Sequence, residues 1–279
     1  MEIQHLSDDP LFILAIGILV VVGGIIGLRL HAFLALLLGA FVVAILTPES
    51  AIILYATGKG ASLAEAQNLA QQKAGIRIAT QFGQTCGKIG ILIAMASIIG
   101  KTMLESGSAE KIVRSALKLT GEKKAPITFL GSSFFIGIPV FFDTVFYLMV
   151  PLAKAMAMKI GKNYLLLILS IIAGPAMANS LVPPTPGPLF LISEMNIPIG
   201  MMMIGGILVG CITIIAGYFY AAWANRKWPI PLRDSTDAPL EEIRKLSNKD
   251  ERSLPPVWLA LSPILIPIVL ISANAFIKT

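Results

Sequence analysis

Apolar stretches close to the length of a membrane-crossing helix dominate this sequence. A helix needs roughly 20 mostly apolar residues to cross a bilayer whose hydrocarbon core is about 30 Å thick. Stretches of this kind are residues 11–28, 30–46, 82–103, 199–223 and 257–277. Two further apolar blocks, 125–153 and 164–192, are interrupted by glycine and proline. The sequence therefore predicts an all-α polytopic membrane protein, with a polar loop and an amphipathic helix over 47–77.

Charged residues are scarce outside one segment. They make up 14% of the 279 residues, and 13 of them lie in segment 225–253, whereas soluble domains contain about 25%. Cytoplasmic loops of membrane proteins carry an excess of Lys and Arg. Basic residues cluster in 111–124, 154–162 and 225–253, and the first ten residues have none. We expect a multi-pass protein of the inner (plasma) membrane, with its N-terminus outside and 225–253 cytoplasmic.

The block 125–153 is predicted to be a re-entrant helical hairpin. Basic clusters flank both of its ends, which places both ends on the cytoplasmic side. Gly137 and Pro139 interrupt it, because proline lacks an amide donor and clashes with the preceding turn. The arm before the break, 126–138, would be only about 20 Å long, too short to cross the membrane. One long kinked helix is the alternative.

The block 164–192 is predicted to be a broken helix. Its centre, 174–188, contains five prolines and two glycines. Non-helical backbone at membrane depth persists only where it is buried in protein or lines a water-filled cavity. The unwound centre is therefore expected to expose the side chains of Asn179, Ser180 and Thr185. A loop outside the membrane is the alternative.

Two helix breaks that meet near mid-membrane are typical of the substrate site of a secondary transporter. Half-helix N-termini attract anions, and nearby hydroxyl and amide groups can bind a polyol. The candidate substrate-binding residues are Ser132, Ser133, Pro139, Asp143, Thr144, Asn179, Ser180, Thr185 and Gly187. Asp143 is also the candidate for proton coupling, because an ionisable side chain within a membrane is costly and usually functional. Its alternative role is a helix N-cap.

Other classes of function are disfavoured. The sequence contains no His-Glu-x-x-His or Gly-x-Ser-x-Gly motif, and neither a cofactor nor a metal is expected. The net charge of +6 requires no nucleic-acid partner, since basic residues mark cytoplasmic loops. Lys88 and Lys101 are interpreted as side chains that reach the membrane interfaces. With no ATP-driven module in the sequence, transport would depend on an ion gradient.

Four segments carry a resemblance to a known family. They are FGQTCGKIG (82–90), LESGSA (104–109), GIPVFFD (137–143) and VPPTPGP (182–188). In these the sequence resembles the gluconate permease family of gluconate:proton symporters, in the ion transporter superfamily. The resemblance implies uptake of gluconate or a related sugar acid with a proton, and substrate contact by 138–143 and 179–186. Asn179 departs from the pattern, since family members often have His there.

The resemblance also implies an architecture of two inverted repeats. Residues 1–224 would form the first repeat, 225–253 the cytoplasmic connector, and 254–279 the first span of an incomplete second repeat. We therefore expect the N-terminal part of a longer protein, or one half of a split transporter. Its partners would be a small organic anion and the lipid bilayer, and a homo-oligomer is left open. A passive channel or facilitator, and a non-transporting half-protein that needs a partner, remain alternative functions.

Overall fold

The computed structural model describes residues 9–232 and 254–277, with side chains as far as residue 270. Regular structure in these ranges is helical and contains no β-strand, so the predicted all-α class is confirmed. The helices are α1 (Pro10–Ile26), α2 (Ala32–Leu46), α3 (Glu49–Gly58), α4 (Leu63–Gln71), α5 (Ala74–Glu105), α6 (Ser108–Thr120), α7 (Ala125–Ile136), α8 (Phe142–Ile160), α9 (Tyr164–Leu181), α10 (Pro186–Met195), α11 (Ile199–Lys227) and α12 (Val257–Ile277). A 3-10 turn, Glu122–Lys124, precedes α7.

Three helical segments in the described ranges are long and apolar enough to cross a membrane. They are Ala74–Glu105, Tyr164–Met195 and Ile199–Lys227. The pair α2 and α3 passes the same test as one unit but bends by 97° between its two halves, and Pro48 is the N-cap of α3 at this bend. Two shorter apolar helices, Pro10–Ile26 and Val257–Leu270, add to these. The chain is a multi-pass membrane protein, as predicted.

The chain divides into two compact units, and the boundary after Gly87 falls inside α5. In the first unit α1 and α2 pack closely. The absence of a side chain at Gly17 permits this, since a Cβ there would lie only 2.6 Å from Val43 Cγ2. The segment 47–77, predicted as a polar loop with an amphipathic helix, contains two helices, α3 and α4. A capping box starts α4, in which the Ser62 hydroxyl donates to Glu65 Oε2 at 2.7 Å. This bond, with a second from the Ser62 N–H, lowers the pKa of Glu65 below its usual value.

The second unit, Lys88–Thr279, is built around α9. This helix packs against α7, α8, α10 and α11. Glycines permit the close approach, since a side chain on Gly174 would collide with Ser133 of α7, and one on Gly206 of α11 would collide with the Leu181 carbonyl. The two interrupted blocks of the sequence therefore pack directly against each other.

Candidate functional site

The block 125–153 forms two helices joined by a five-residue break. α7 ends at Ile136 and α8 begins at Phe142. At the opposite end of the pair, Lys159 Nζ near the end of α8 lies 2.5 Å from Glu122 Oε1 just before α7. The chain therefore turns back at the break, and the two outer ends of α7 and α8 lie together. We call residues 137–141 the hairpin tip.

Asp143 follows the tip and is the second residue of α8. The N-cap of this helix is Phe141, so the alternative N-cap role for Asp143 is wrong. The helix begins two residues earlier than that role required. The Asp143 side chain is exposed, and no hydrogen bond or ion pair with another described residue reaches it. A carboxylate in the first turn still suits the positive end of the helix dipole.

The break in block 164–192 is shorter than the prolines suggested. α9 continues through Pro175 to Leu181, and α10 starts at Pro186. Only residues 182–185 are unwound, because Pro186 takes the first position of a helix, where a missing N–H costs nothing. The expectation that Asn179 and Ser180 lie in unwound backbone is therefore wrong. Both lie in the last turn of α9, and Thr185 is the N-cap of α10.

Asn179 connects α9 to the hairpin tip. With its amide oriented to satisfy both neighbours, its nitrogen donates to the Gly137 carbonyl at 2.9 Å and its oxygen accepts from the Phe142 N–H at 2.6 Å. Gly137 is the C-cap of α7 and Phe142 is the first residue of α8. Helix ends leave such groups without intrahelical partners. One side chain thus caps two helix ends and links the two breaks.

The other predicted polar residues differ in their surroundings. Ser133 is fully buried and donates to the Leu130 carbonyl of its own helix at 3.1 Å. It faces Gly174 of α9, so it lies at the contact between α7 and α9. Thr185 is buried and donates to the Val182 carbonyl at 2.7 Å. Ser180 is exposed and donates to Ala176 within its own helix. Ser132 is buried in α7, and Gly187 is exposed in α10.

A pocket of about 330 Å³ lies beside the hairpin tip, between α5 and the start of α8. It is lined by Ala96, Ser97, Gly100, Lys101, Leu104, Pro139, Val140, Phe141 and Thr144. The structure therefore brings Pro139 and Thr144, both predicted, together with α5 residues that were not. Lys101 was interpreted only as an interfacial side chain. No spacing in the sequence relates residue 101 to residue 139, so this contact follows from the fold alone.

The described residues contain no group of three or more His, Cys, Asp or Glu side chains placed to hold a metal ion. The polar groups of the pocket are one ammonium and two hydroxyls, from Lys101, Ser97 and Thr144. Such a set is suited to binding a small anion that carries hydroxyl groups.

The sequence profile described as GntP family permease matches residues 9–279. The chain belongs to the GntP permease family. An "Uncharacterized permease" of Haemophilus influenzae is 30% identical to this GntP permease chain over 273 residues, covering 96% of this chain and 51% of the relative. A "Gluconate permease" of Zymomonas mobilis is 30% identical over 200 residues, with coverage of 70% and 44%. The "Low-affinity gluconate transporter" of Escherichia coli K12 is 27% identical over 244 residues, with coverage of 87% and 48%.

The GntP permease chain spans about half the length of these relatives. No solved structure matches it. The family and its named members are permeases and transporters and not enzymes, which agrees with the prediction of no enzyme.

Proposed function

We propose that the protein to which these residues belong carries gluconate or a related sugar acid across the plasma membrane. Gluconate is the substrate in the names of two relatives given above. The observation that carries the proposal is the bridge from Asn179, in the last turn of α9 just before its break, to the hairpin tip beside a pocket. Broken helices of this kind form the substrate sites of secondary transporters.

The pocket supports a substrate of this size. Small-molecule sites usually measure about 300–1,000 Å³, and a cavity of about 330 Å³ lies at the small end of that range. A six-carbon acid fits this volume better than a larger glycoside does. Hydroxyls of Ser97 and Thr144, which line the cavity, can bind the hydroxyls of a sugar acid.

We further propose that the transport is proton symport and that Asp143 carries the proton. Its exposed carboxylate lies next to the pocket residue Thr144 and has no partner among the described residues. A carboxylate that gains and loses a proton at the substrate site can couple the two movements. The energy for uptake would then come from the proton gradient.

The test is uptake of radiolabelled gluconate into proteoliposomes that contain the complete protein. With an inwardly directed proton gradient, the wild type is expected to concentrate gluconate. Asp143→Asn should lose this accumulation but retain counterflow exchange, because the amide keeps the shape and removes the titratable group.

Three outcomes contradict parts of this proposal. Absence of uptake and exchange by the wild type, for gluconate and for related sugar acids, would refute the substrate class. An Asp143→Asn variant that still concentrates gluconate would refute the coupling role. Uptake by the wild type that never exceeds equilibrium would instead identify a passive facilitator.

A further inference from the structure

We propose that Lys101 binds the carboxylate of the substrate in the pocket between α5 and the hairpin tip. This inference rests on the proposed function, which requires an anionic substrate. It assigns a binding role to α5, which the sequence had indicated only as a membrane span.

The position of Lys101 follows from a close contact between α5 and the tip. A Cβ on Gly100 would lie 3.1 Å from the Pro139 carbonyl oxygen and 3.3 Å from Val140 Cα. Only a residue without a side chain leaves this approach unstrained. The contact holds the next residue, Lys101, at the edge of the pocket formed by the tip.

Lys101 is the only charged residue among the nine that line the pocket. Its ammonium lies 3.7 Å from Glu105 Oε1, one helical turn further along α5, and the two side chains are 77% and 69% exposed. Exposed ion pairs of this kind contribute little to stability. Glu105 does not line the pocket, so a substrate carboxylate can replace it as the partner of Lys101 at little cost.

The remaining polar groups of the pocket match the rest of a sugar acid. Ser97 lies one turn before Lys101 on α5, and its hydroxyl donates to the Ile93 carbonyl at 2.8 Å. This bond leaves the Ser97 oxygen free to accept from a substrate hydroxyl. Thr144 lines the same pocket from α8. The carboxylate of a bound sugar acid would thus lie at the ammonium of Lys101, and its hydroxyl groups could bond to the hydroxyls of Ser97 and Thr144.

The experiment measures equilibrium binding of gluconate and of its uncharged amide, gluconamide, to the complete purified protein. Lys101→Met keeps the aliphatic stem and removes the charge, and Lys88→Met is the matched control on the same helix outside the pocket. Hydrogen bonds to charged groups are strong enough that Lys101→Met should weaken gluconate binding by about 10- to 150-fold. It should leave gluconamide binding unchanged, and Lys88→Met should change neither.

Two further variants strengthen the test. Lys101→Arg keeps the positive charge and should retain most of the gluconate affinity, while Glu105→Gln removes the competing carboxylate and should bind gluconate as tightly as the wild type or more tightly. Lys101→Met should not lower the thermal unfolding midpoint, because the side chain is mostly exposed.

The outcomes separate the inference from the proposed function. If the wild type binds and transports gluconate while Lys101→Met binds it equally well, the role of Lys101 is refuted and the proposed function stands. If the wild type neither binds nor transports any sugar acid, the proposed function is wrong and this inference falls with it.

Discussion

At the scale of single residues, Asn179 is the side chain that joins α9 to the hairpin tip. A carbonyl and an N–H face it from opposite sides of the hairpin tip, so the residue must donate and accept at once. A carboxamide does both, whereas a hydrocarbon of similar size does neither. Because the two backbone groups belong to helix ends, they have no intrahelical partner to replace it.

Asn179→Leu should therefore destabilise the protein. Leaving a buried polar group unsatisfied costs about 1–3 kcal/mol, and this substitution removes the partner of two such groups. We expect a lower midpoint of thermal unfolding in detergent and weaker gluconate binding, because the tip also borders the pocket.

Ser180→Ala is the matched control for this prediction. Ser180 is the next residue, is exposed and bonds only within its own helix, so its loss should be close to neutral. Equal unfolding midpoints for Asn179→Leu and Ser180→Ala would show that the amide bridge contributes nothing to stability.

At the scale of helices, two adjacent glycines of α11 have opposite surroundings. A Cβ on Gly206 would collide with the Leu181 carbonyl at the end of α9, while one on Gly205 would meet nothing within 4 Å. Overpacking a tight contact typically costs about 1–3 kcal/mol. Replacing an exposed helical glycine with alanine gains roughly 0.5–1 kcal/mol.

Gly206→Ala should consequently lower the unfolding midpoint, and Gly205→Ala should leave it unchanged or raise it. Thermal unfolding of the two purified variants under one set of detergent conditions provides the measurement. A lower unfolding midpoint for Gly205→Ala than for Gly206→Ala would mean that α9 and α11 do not pack as described.

The helix breaks could be predicted from the sequence because they depend on local chemistry. Pro139 and the prolines at 183–188 remove backbone donors wherever they occur, and the structure interrupts the helices at both places. The exact ends were less predictable, since α9 absorbs Pro175 and α10 begins at Pro186. The bridge from Asn179 to Gly137 and the approach of Gly100 to Pro139 join residues about 40 apart. No local pattern encodes such contacts.

The hairpin formed by α7 and α8 also makes a prediction about membrane topology. The ion pair between Lys159 and Glu122 places its two outer ends together. Basic residues flank both ends and favour the cytoplasm, so we propose that both ends lie on the cytoplasmic side. To test this by thiol labelling, cysteine should replace Lys123 and Lys162, which are exposed. The neighbouring Gly121 and Gly161 are less suitable positions, because their φ angles are +77° and +74° and a side chain there would be strained.

An impermeant thiol reagent should label Lys123→Cys and Lys162→Cys from the cytoplasmic side only. The background should lack Cys86 and Cys211, of which Cys86 is exposed. Labelling of the two positions from opposite sides of the membrane would instead identify one kinked, membrane-crossing helix.

At the scale of the whole molecule, the site depends on contacts among several helices of the second unit. α5 supplies Lys101, α8 supplies Asp143 and Thr144, and α9 supplies the Asn179 bridge. A shift of the hairpin tip would therefore change the pocket and the surroundings of Asp143 together. Under the proposed symport, this arrangement would give a physical reason for substrate and proton to move as a coupled pair.

Coupling of this kind can be observed as proton movement driven by the substrate alone. Gluconate added outside proteoliposomes of the complete protein, with no imposed pH gradient and the membrane potential clamped, should draw protons inward and make the external medium alkaline. A pH-sensitive dye outside the vesicles measures the change, and sorbitol, a polyol without a carboxylate, is the control solute. Asp143→Asn should exchange gluconate without this alkalinisation, because it has no group to carry the proton. Entry of gluconate into wild-type vesicles with no change in external pH would identify passive transport of the anion, and Asp143 would then serve the helix dipole of α8 and not the coupling.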